Sequence, residues 1–221
     1  MKKFLVLAIA VICFASGCTK KYESVENYDS VEKYTSAMEE IKHKNDSYKI
    51  KGTCKMMDNM FNFTMHIKGK QWKTELKNNN AQFVYLYDGK NVYLFNNKFI
   101  VKNPLNNQAD KHDTISGQNP VNLVFDWYMD DMNMAFAGNK KIGKFDCRQL
   151  VGKGEGITYD VCVNDKSGIA ISTNFLQTNP EEARSLNINV TYIDNNDIKD
   201  DFFAPPKNLK EISAEVINRN K

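Results

Sequence analysis

Between residues 47 and 103 the apolar side chains occur at every second position, with short polar interruptions. A period of two residues is typical of a β-strand that has one buried and one exposed face. The interruptions contain turn residues, among them the pair Asp88-Gly89. This stretch therefore predicts an antiparallel meander with one continuous apolar face. The alternating residues are Tyr48, Ile50, Cys54, Met56, Phe61, Phe63, Met65, Ile67, Trp72, Leu76, Phe83, Tyr85, Tyr87, Val92 and Leu94.

Two segments show helical spacing instead. Residues 29–45 place apolar side chains such as Tyr34 and Met38 on one face and charged side chains on the other, which predicts an amphipathic helix. Residues 119–136 begin with Asn-Pro, a common helix start, and their apolar side chains cover more than one side. We predict an inserted helix there that closes over the sheet as a lid. Further strands are predicted at 144–151, 157–163, 168–176 and 186–193.

This order of elements predicts an α+β fold that is mainly β. Its curved antiparallel sheet, a half-barrel, carries the N-terminal helix and the inserted helix. The length suits one domain of sandwich or barrel type with a sizeable core, and the sequence shows no repeat. We therefore predict a single domain over residues 29–221.

The first residues have the layout of a secretory signal. Two lysines, an apolar run over 4–14 and small residues at 15–17 precede Cys18. The run is shorter than the roughly 20 apolar residues that cross a bilayer. Cys18 after small residues resembles the lipobox of bacterial lipoproteins, in which the cysteine is lipidated and becomes residue one. We predict a signal peptide at 1–17, lipid attachment to Cys18 and a tether over 18–28, with an ordinary signal cut at a small residue as the alternative.

The other cysteines of the predicted mature chain include a pair in a hairpin. Two predicted strands flank the glycine-rich break at 152–156, which indicates a turn between them. In a register that pairs Gly152 with Ile157, Cys147 lies opposite Cys162. A bridge between them would remove about 3 kcal/mol of unfolded-state entropy. We predict this disulfide, with two buried thiols as the alternative.

Charge and motifs exclude several kinds of function. Removing residues 1–17 takes away two lysines and no acidic residue, so 28 basic residues remain against 27 acidic ones. This balance disfavours a nucleic-acid-binding protein, which would show a basic stripe. The three histidines lack metal-ligand spacing, and Cys54 has no His or Asp neighbour, which predicts a core residue. We predict no cofactor, no metal site and no enzymatic activity. A hydrolase that uses Asp126 or Asp130 would need both carboxylates in a cleft.

Aromatic and methionine side chains are abundant on the predicted sheet and on the inserted helix. Such side chains adapt to irregular apolar ligands, and a curved sheet under a helix can enclose a cavity for a lipid chain. A plain hydrophobic core accounts for the same residues, and on composition alone it is favoured. The candidate residues for binding a hydrophobic ligand are Phe61, Phe63, Met65, Trp72, Phe83, Tyr85, Tyr93, Phe95, Phe125 and Met129.

Within residues 65–103, the step Trp72-Lys73 is followed by the run Asp88-Gly89-Lys90 and by an aromatic strand. This block resembles the central block of the LolA/LolB-like superfamily, the lipoprotein carriers and receptors of the bacterial envelope. Residues 198–212 resemble that group's closing pattern of Asp, Phe, Pro and a final apolar residue. The resemblance implies a half-barrel around a hydrophobic cavity, covered by helices, that accepts acyl chains.

Together with the lipobox, the resemblance implies a lipid-anchored relative rather than a soluble carrier. The expected protein is a monomer that binds lipid or lipoprotein acyl chains and that touches the membrane through its lipid anchor, whose acyl chains include palmitate. A role in lipoprotein sorting is one implication. Thr19, where a retention signal would have Asp, favours the outer membrane, facing the periplasm. The alternative is a non-catalytic structural or sensory module of the envelope that binds a protein partner.

Overall fold

The computed structural model describes residues 28–104, 119–178, 183–195 and 197–212. The predicted signal peptide, Cys18 and all of the predicted tether except Tyr28 lie outside the described residues. No helix within these ranges is long and apolar enough to cross a membrane. The elements are α1 (Val31–Lys44), β1 (Ser47–Met56), β2 (Asn59–Lys68), β3 (Gln71–Lys77), β4 (Gln82–Tyr87), β5 (Asn91–Phe95), β6 (Phe99–Pro104), a first 3-10 helix (Pro120–Val124), β7 (Asn133–Ile142), β8 (Phe145–Gly154), β9 (Ile157–Asn164), β10 (Ala170–Gln177), β11 (Arg184–Asp194), a second 3-10 helix (Asp200–Phe203) and β12 (Lys210–Glu211).

The twelve strands of the described residues belong to one sheet, in the order β12-β6-β5-β4-β3-β2-β1-β11-β10-β9-β8-β7. Strands β1 to β6 form one antiparallel meander and β7 to β11 form a second one. The pairing of β1 with β11 joins the two meanders, with Lys49 opposite Asp194 at one end and Met56 opposite Leu186 at the other. Strand β12 pairs in parallel with β6. The predicted antiparallel meander is confirmed.

Helix α1 confirms the first predicted helix. Its N-terminus is capped by Ser30, whose side-chain oxygen accepts a hydrogen bond from the backbone N–H of Lys33 at 3.3 Å. Tyr34 and Met38 face the sheet and belong to one buried cluster with Leu150 of β8. The sheet is open and curved. The face that carries α1 and the first 3-10 helix is called the inner face below, and the opposite face is called the outer face.

A partly buried hydrogen bond joins α1 to the sheet. The hydroxyl of Tyr34 donates a hydrogen bond to Asp165 Oδ1 at 2.7 Å, just beyond the end of β9. The guanidinium of Arg148 lies 5.5 Å from the centre of the Tyr34 ring. Burial raises the pKa of the Asp165 carboxyl, although the hydrogen bond from Tyr34 and the charge of Arg148 oppose this effect.

The predicted inserted helix over residues 119–136 is wrong. Asn119 caps only a five-residue 3-10 helix, Pro120–Val124, and from Asn133 the chain continues as strand β7. The reason is that Met134 and Phe136 alternate with exposed neighbours and pair with β8, so their spacing has a period of two and not of 3.6. The lid is therefore a short 3-10 helix with an irregular segment after it.

Trp127 anchors this irregular segment. Its side chain is only 1% exposed, and its indole N–H donates a hydrogen bond to the carbonyl oxygen of Gly168 at 2.8 Å. Its own carbonyl oxygen accepts a hydrogen bond from the hydroxyl of Tyr159 at 2.9 Å. The Tyr34 ring lies 6.0 Å away, centroid to centroid. Trp127 therefore joins α1, the irregular segment and β9 in one packed core.

The predicted disulfide between Cys147 and Cys162 is also wrong, because both are free thiols. In the structure Gly154 pairs with Ile157, so the hairpin turn contains only the two residues between them. The register of β8 against β9 therefore differs by two residues from the predicted one. Cys147 consequently lies opposite Asn164, while Cys162 lies opposite Gln149. The two thiols are diagonal neighbours on one face, where Cα atoms are about 7 Å apart, near the upper limit for a bridge.

Candidate functional site

The predicted ligand-binding residues of β2 lie in the packed core. Phe61, Phe63 and Met65 point to the inner face, where they form one buried cluster with Val121 and Val124 of the first 3-10 helix. The 3-10 helix packs into the same core, and its backbone comes nearest to β10 and β11. Its position is fixed by Asn119, whose amide donates a hydrogen bond to the hydroxyl of Thr74 at 3.1 Å.

Beyond the 3-10 helix, the inner face carries a half-buried apolar surface. The cross-strand register brings its side chains together: Thr74 lies opposite Tyr85, which in turn lies opposite Leu94. The rings of Trp72 and Tyr87 lie 6.2 Å apart, centroid to centroid. We call this surface the inner patch. Its members are Trp72, Phe83, Tyr85, Tyr87 and Leu94, all of intermediate exposure.

Two other predicted residues, Tyr93 and Phe95, lie on the outer face. Leu86 is opposite Tyr93 in the β4–β5 pair, so both residues alternate away from the inner patch. They pack with Ile198 and Phe203 of the C-terminal segment. These two candidate ligand-binding residues therefore lie on the face opposite to Trp72, because the apolar residues of β5 are distributed over both faces.

The Asp88-Gly89-Lys90 motif is a turn between β4 and β5. One carboxylate oxygen of Asp88 accepts hydrogen bonds from the backbone N–H groups of Lys90 and Asn91, and the other accepts one from the Tyr93 hydroxyl at 3.0 Å. Partial burial raises the pKa of Asp88, but the backbone hydrogen bonds outweigh it, and the pKa lies below its ordinary value. Gly89 has a φ of 94°. The motif is structural here and sets the register of β4 and β5.

Phe125 and Met129 lie in the irregular segment after the 3-10 helix, and Phe125 contacts a buried charge. The Lys42 side chain of α1 is 1% exposed, and its ammonium donates a hydrogen bond to the Phe125 carbonyl oxygen at 2.6 Å. The same ammonium lies 4.5 Å from the centre of the Phe125 ring and pairs with Glu39. A buried ammonium requires such partners, so Lys42 ties the segment to α1. Sequence reasoning missed Lys42, although its spacing of four residues from Met38 puts it on the apolar stripe of the helix.

The structure gives no support to the residues considered for catalysis. Asp126, Asp130 and Asp131 are all exposed, whereas the hydrolase hypothesis requires both carboxylates in a cleft. Among the described residues, no group of three His, Cys, Asp or Glu side chains is close enough to hold a metal ion.

The C-terminal segment packs against the outer face of β2 and β3. The ammonium of Lys68 donates a hydrogen bond to the Ile198 carbonyl oxygen at 2.6 Å and pairs with Asp200 at 2.8 Å. The Phe202 ring packs edge-on against the His66 ring, with centroids 4.6 Å apart, and Lys73 lies 4.4 Å from the centre of the same Phe202 ring. Within the described residues, His66 Nδ1 is buried without a hydrogen-bond partner.

His66 is expected to make stability depend on pH. Burial lowers the pKa of His66 to about 4, and the nearby positive charges of Lys49, Lys73 and Lys51 act in the same direction. The negative charge of Glu75 has the opposite effect. An unfolded imidazole takes up its proton near pH 6.5, so between about pH 6.5 and 4 the unfolded chain binds more protons and the free energy of unfolding falls as the pH falls. Urea unfolding at pH 7.5, 5.5 and 4.5 should show a smaller decrease for His66→Gln than for the wild type.

His43 provides the matched control, because its side chain is 79% exposed on α1. Its replacement by Gln should leave the pH dependence as in the wild type. If the His66→Gln and wild-type curves run parallel over this range, His66 does not contribute.

The described residues form an open antiparallel half-barrel, with a curved sheet, helices on its inner face and a half-buried apolar patch. This is the architecture that the LolA/LolB-like resemblance implies.

The sequence matches no protein-family model and no curated protein. Among solved structures, an uncharacterized conserved protein from Thermus thermophilus is similar, with a TM-score of 0.59, 8% identity and coverage of 82% of this chain and 98% of that one. The crystal structure of MucB is also similar, with a TM-score of 0.53, 8% identity and 81% of this chain covered. The match spans 64% of the MucB chain. At such identities these likenesses show the fold alone.

Proposed function

We propose that this chain is a membrane-anchored envelope lipoprotein that binds acyl chains of lipids or lipoproteins on its inner face, without catalysis. The observation that carries the proposal is the inner patch. It places three aromatic rings of β4 and a tryptophan of β3 on one half-buried surface, beside the side chains of β2 that are buried in the core.

The composition of the inner patch suits an acyl chain. Burial of apolar surface contributes roughly 25 cal/mol per Å², and it needs no directional partner. The buried polar group nearest the centre of the patch is Thr74, and its hydroxyl is already engaged by Asn119. A ligand that lies along Trp72, Tyr85 and Leu94 would therefore gain apolar contact without leaving the Thr74 hydroxyl unsatisfied.

The predicted anchor at Cys18 would keep this surface near a membrane. The ten residue-to-residue steps from Cys18 to Tyr28 span at most about 35 Å when fully extended. Each methylene of the acyl chains that is buried in the bilayer contributes about 0.8 kcal/mol to membrane binding, so the attachment would be lasting. We place the protein at the outer membrane, facing the periplasm, as a monomer that acts locally rather than as a carrier that shuttles.

A second candidate function is the binding of a protein segment by the same patch. The observation that favours it is the burial of Phe61, Phe63 and Met65 in one cluster with Val121 and Val124. Because these inner-facing side chains of β2 are buried, they offer no surface to a ligand, and side chains of a partner protein can also cover the half-buried inner patch beside them.

Palmitate should bind to the delipidated mature chain and change the tryptophan emission. The chain has two tryptophans, and Trp127 is fully buried in the core, so the ligand-dependent change should come from Trp72. Trp72→Ala should remove the signal and, in competition with a fluorescent fatty acid, weaken binding about tenfold, which corresponds to about 1.4 kcal/mol of lost apolar contact.

Tyr192→Ala is the control, because Tyr192 is an exposed aromatic residue on the outer face. It should bind palmitate as the wild type does. Mass spectrometry of the purified protein should also detect copurified lipid. If neither copurified lipid nor palmitate binding is found, while a protein partner binds equally well before and after delipidation, the second candidate function replaces the first.

A further inference from the structure

A groove of about 490 Å³ crosses the outer face at the end of the sheet where β1 and β8 finish. It runs across five strands, β1, β11, β10, β9 and β8, between two transverse rows of side chains. The backbone of the residues between the rows forms its floor. We call it the cross-strand groove. One row is Lys55, Asn187, Asn174, Asp160 and Val151, and the other is Ser185, Leu176, Thr158 and Lys153.

The groove has a lysine at each end. Lys55 on β1 and Lys153 on β8 are both exposed, and within the described residues neither has an acidic partner at ion-pair distance. The two strands are four strand spacings apart, or about 19 Å. A ligand that satisfies both ammonium groups must therefore be long and must carry negative charge near both of its ends.

The row that begins at Lys55 is polar in its middle and is organised by side-chain amides. Asn189 donates to Asn187 Oδ1 at 2.6 Å, and Asn187 donates in turn to Asn174 Oδ1. The amide N–H groups of Asn174, at the end of this chain, are exposed donors. Both carboxylate oxygens of Asp160 are held by the Gln149 amide at 2.9 Å and keep further lone pairs as acceptors.

Exposed apolar side chains border the same groove. Leu176 is 46% exposed within it, and Met60, opposite Lys55 in the β1–β2 pair, is 53% exposed. Met57 in the adjacent turn is 61% exposed. Three of the four large apolar side chains that the described residues expose are thus gathered at this end of the sheet, with Tyr192 as the fourth.

We infer that the cross-strand groove binds an extended acidic peptide segment of a partner protein. An extended chain advances about 3.3 to 3.6 Å per residue, so two carboxylates five to six residues apart match the two lysines. Between them, the peptide backbone supplies a carbonyl oxygen to Asn174 and an N–H to Asp160, and an apolar side chain covers Leu176. Asp160 disfavours a flat anionic surface such as a membrane, which would place phosphates against it. The groove lies on the face opposite the inner patch, so this inference is independent of the acyl-chain proposal.

Selection from a random eight-residue peptide display library tests the inference. The bait is the mature chain, residues 18–221 with Cys18→Ser, which contains the whole described sheet. The wild-type bait should enrich peptides with two acidic residues five to six positions apart and an apolar residue between them. The double variant Lys55→Glu, Lys153→Glu should enrich basic residues at those positions. The control Lys70→Glu, Lys98→Glu alters two exposed lysines outside the groove and should select as the wild type does.

A fluorescein-labelled peptide from the wild-type selection then gives affinities by anisotropy. The Lys55→Glu, Lys153→Glu variant should raise its Kd at least tenfold with unchanged thermal stability, while Trp72→Ala should leave the Kd unchanged. Selection without paired acidic residues, or a Kd that is insensitive to the charge reversal, would overturn the inference. Loss of binding to phosphatidylglycerol vesicles in the reversed variant, with no peptide enriched, would also overturn it in favour of a membrane.

Discussion

Trp127→Ala should lower the free energy of unfolding by about 3 to 5 kcal/mol. The side chain is fully buried between α1 and β9, so its removal leaves a large cavity. The carbonyl oxygen of Gly168 would also lose the indole N–H that it accepts at 2.8 Å. The measurement is urea unfolding followed by far-ultraviolet circular dichroism.

Two further tryptophan variants separate the causes. Trp127→Phe keeps most of the apolar volume and loses the hydrogen bond, so a loss of about 1 to 3 kcal/mol is expected. Trp72→Ala removes the half-buried tryptophan of the inner patch and should cost clearly less than Trp127→Ala. A larger loss for Trp72→Ala would show that the inner patch is part of the core and not a binding surface.

Gly52→Ala should prevent the sheet from forming in its native register. A Cβ at this position of β1 would lie 2.1 Å from the carbonyl oxygen of Asn189 and 2.8 Å from the Phe63 ring. The first of these atoms belongs to the backbone of paired strand β11, which cannot move without breaking the pair. We expect a loss of more than about 3 kcal/mol or an insoluble chain, measured as soluble yield and melting temperature.

Gly154→Ala is the matched control, because the nearest atom to its added Cβ is 4.0 Å away. It should fold as the wild type does. The double variant Gly52→Ala, Phe63→Leu tests which clash matters. If shortening Phe63 restores the native melting temperature, the ring and not the backbone of β11 caused the loss.

The local part of the fold was predictable from the sequence. The strands from Tyr48 to Tyr87 and helix α1 follow from periodicity, because each element buries one face against one neighbour. The region after Asn119 was not predictable in this way. There the initial Asn-Pro and the dense apolar residues are also compatible with a helix. The last part of the segment is a strand because β7 pairs with β8. Similarly, a turn two residues shorter than expected moved Cys147 away from Cys162.

The candidate site was predictable only in part. Trp72, Phe83 and Tyr85 do share a half-buried part of the inner face, as their alternation indicates. Phe61 and its neighbours look the same in sequence, but they are buried in one cluster with the 3-10 helix and with residues of several strands. The cross-strand groove could not be predicted, since its rows combine β1 with β11, which are far apart in sequence.

The pairing of β1 with β11 also has a consequence for how the chain folds. Each meander is built from hairpins whose strands are close in sequence and can pair early. Lys49 and Asp194, in contrast, are separated by most of the sequence and can pair only late. Contacts of such long sequence separation form slowly, because the entropy of loop closure must be overcome first. During synthesis or export, the two halves of the sheet can therefore grow separately, each with an open edge at β1 or β11. The native protein exists only once residue 194 has emerged and these two edges have closed on each other.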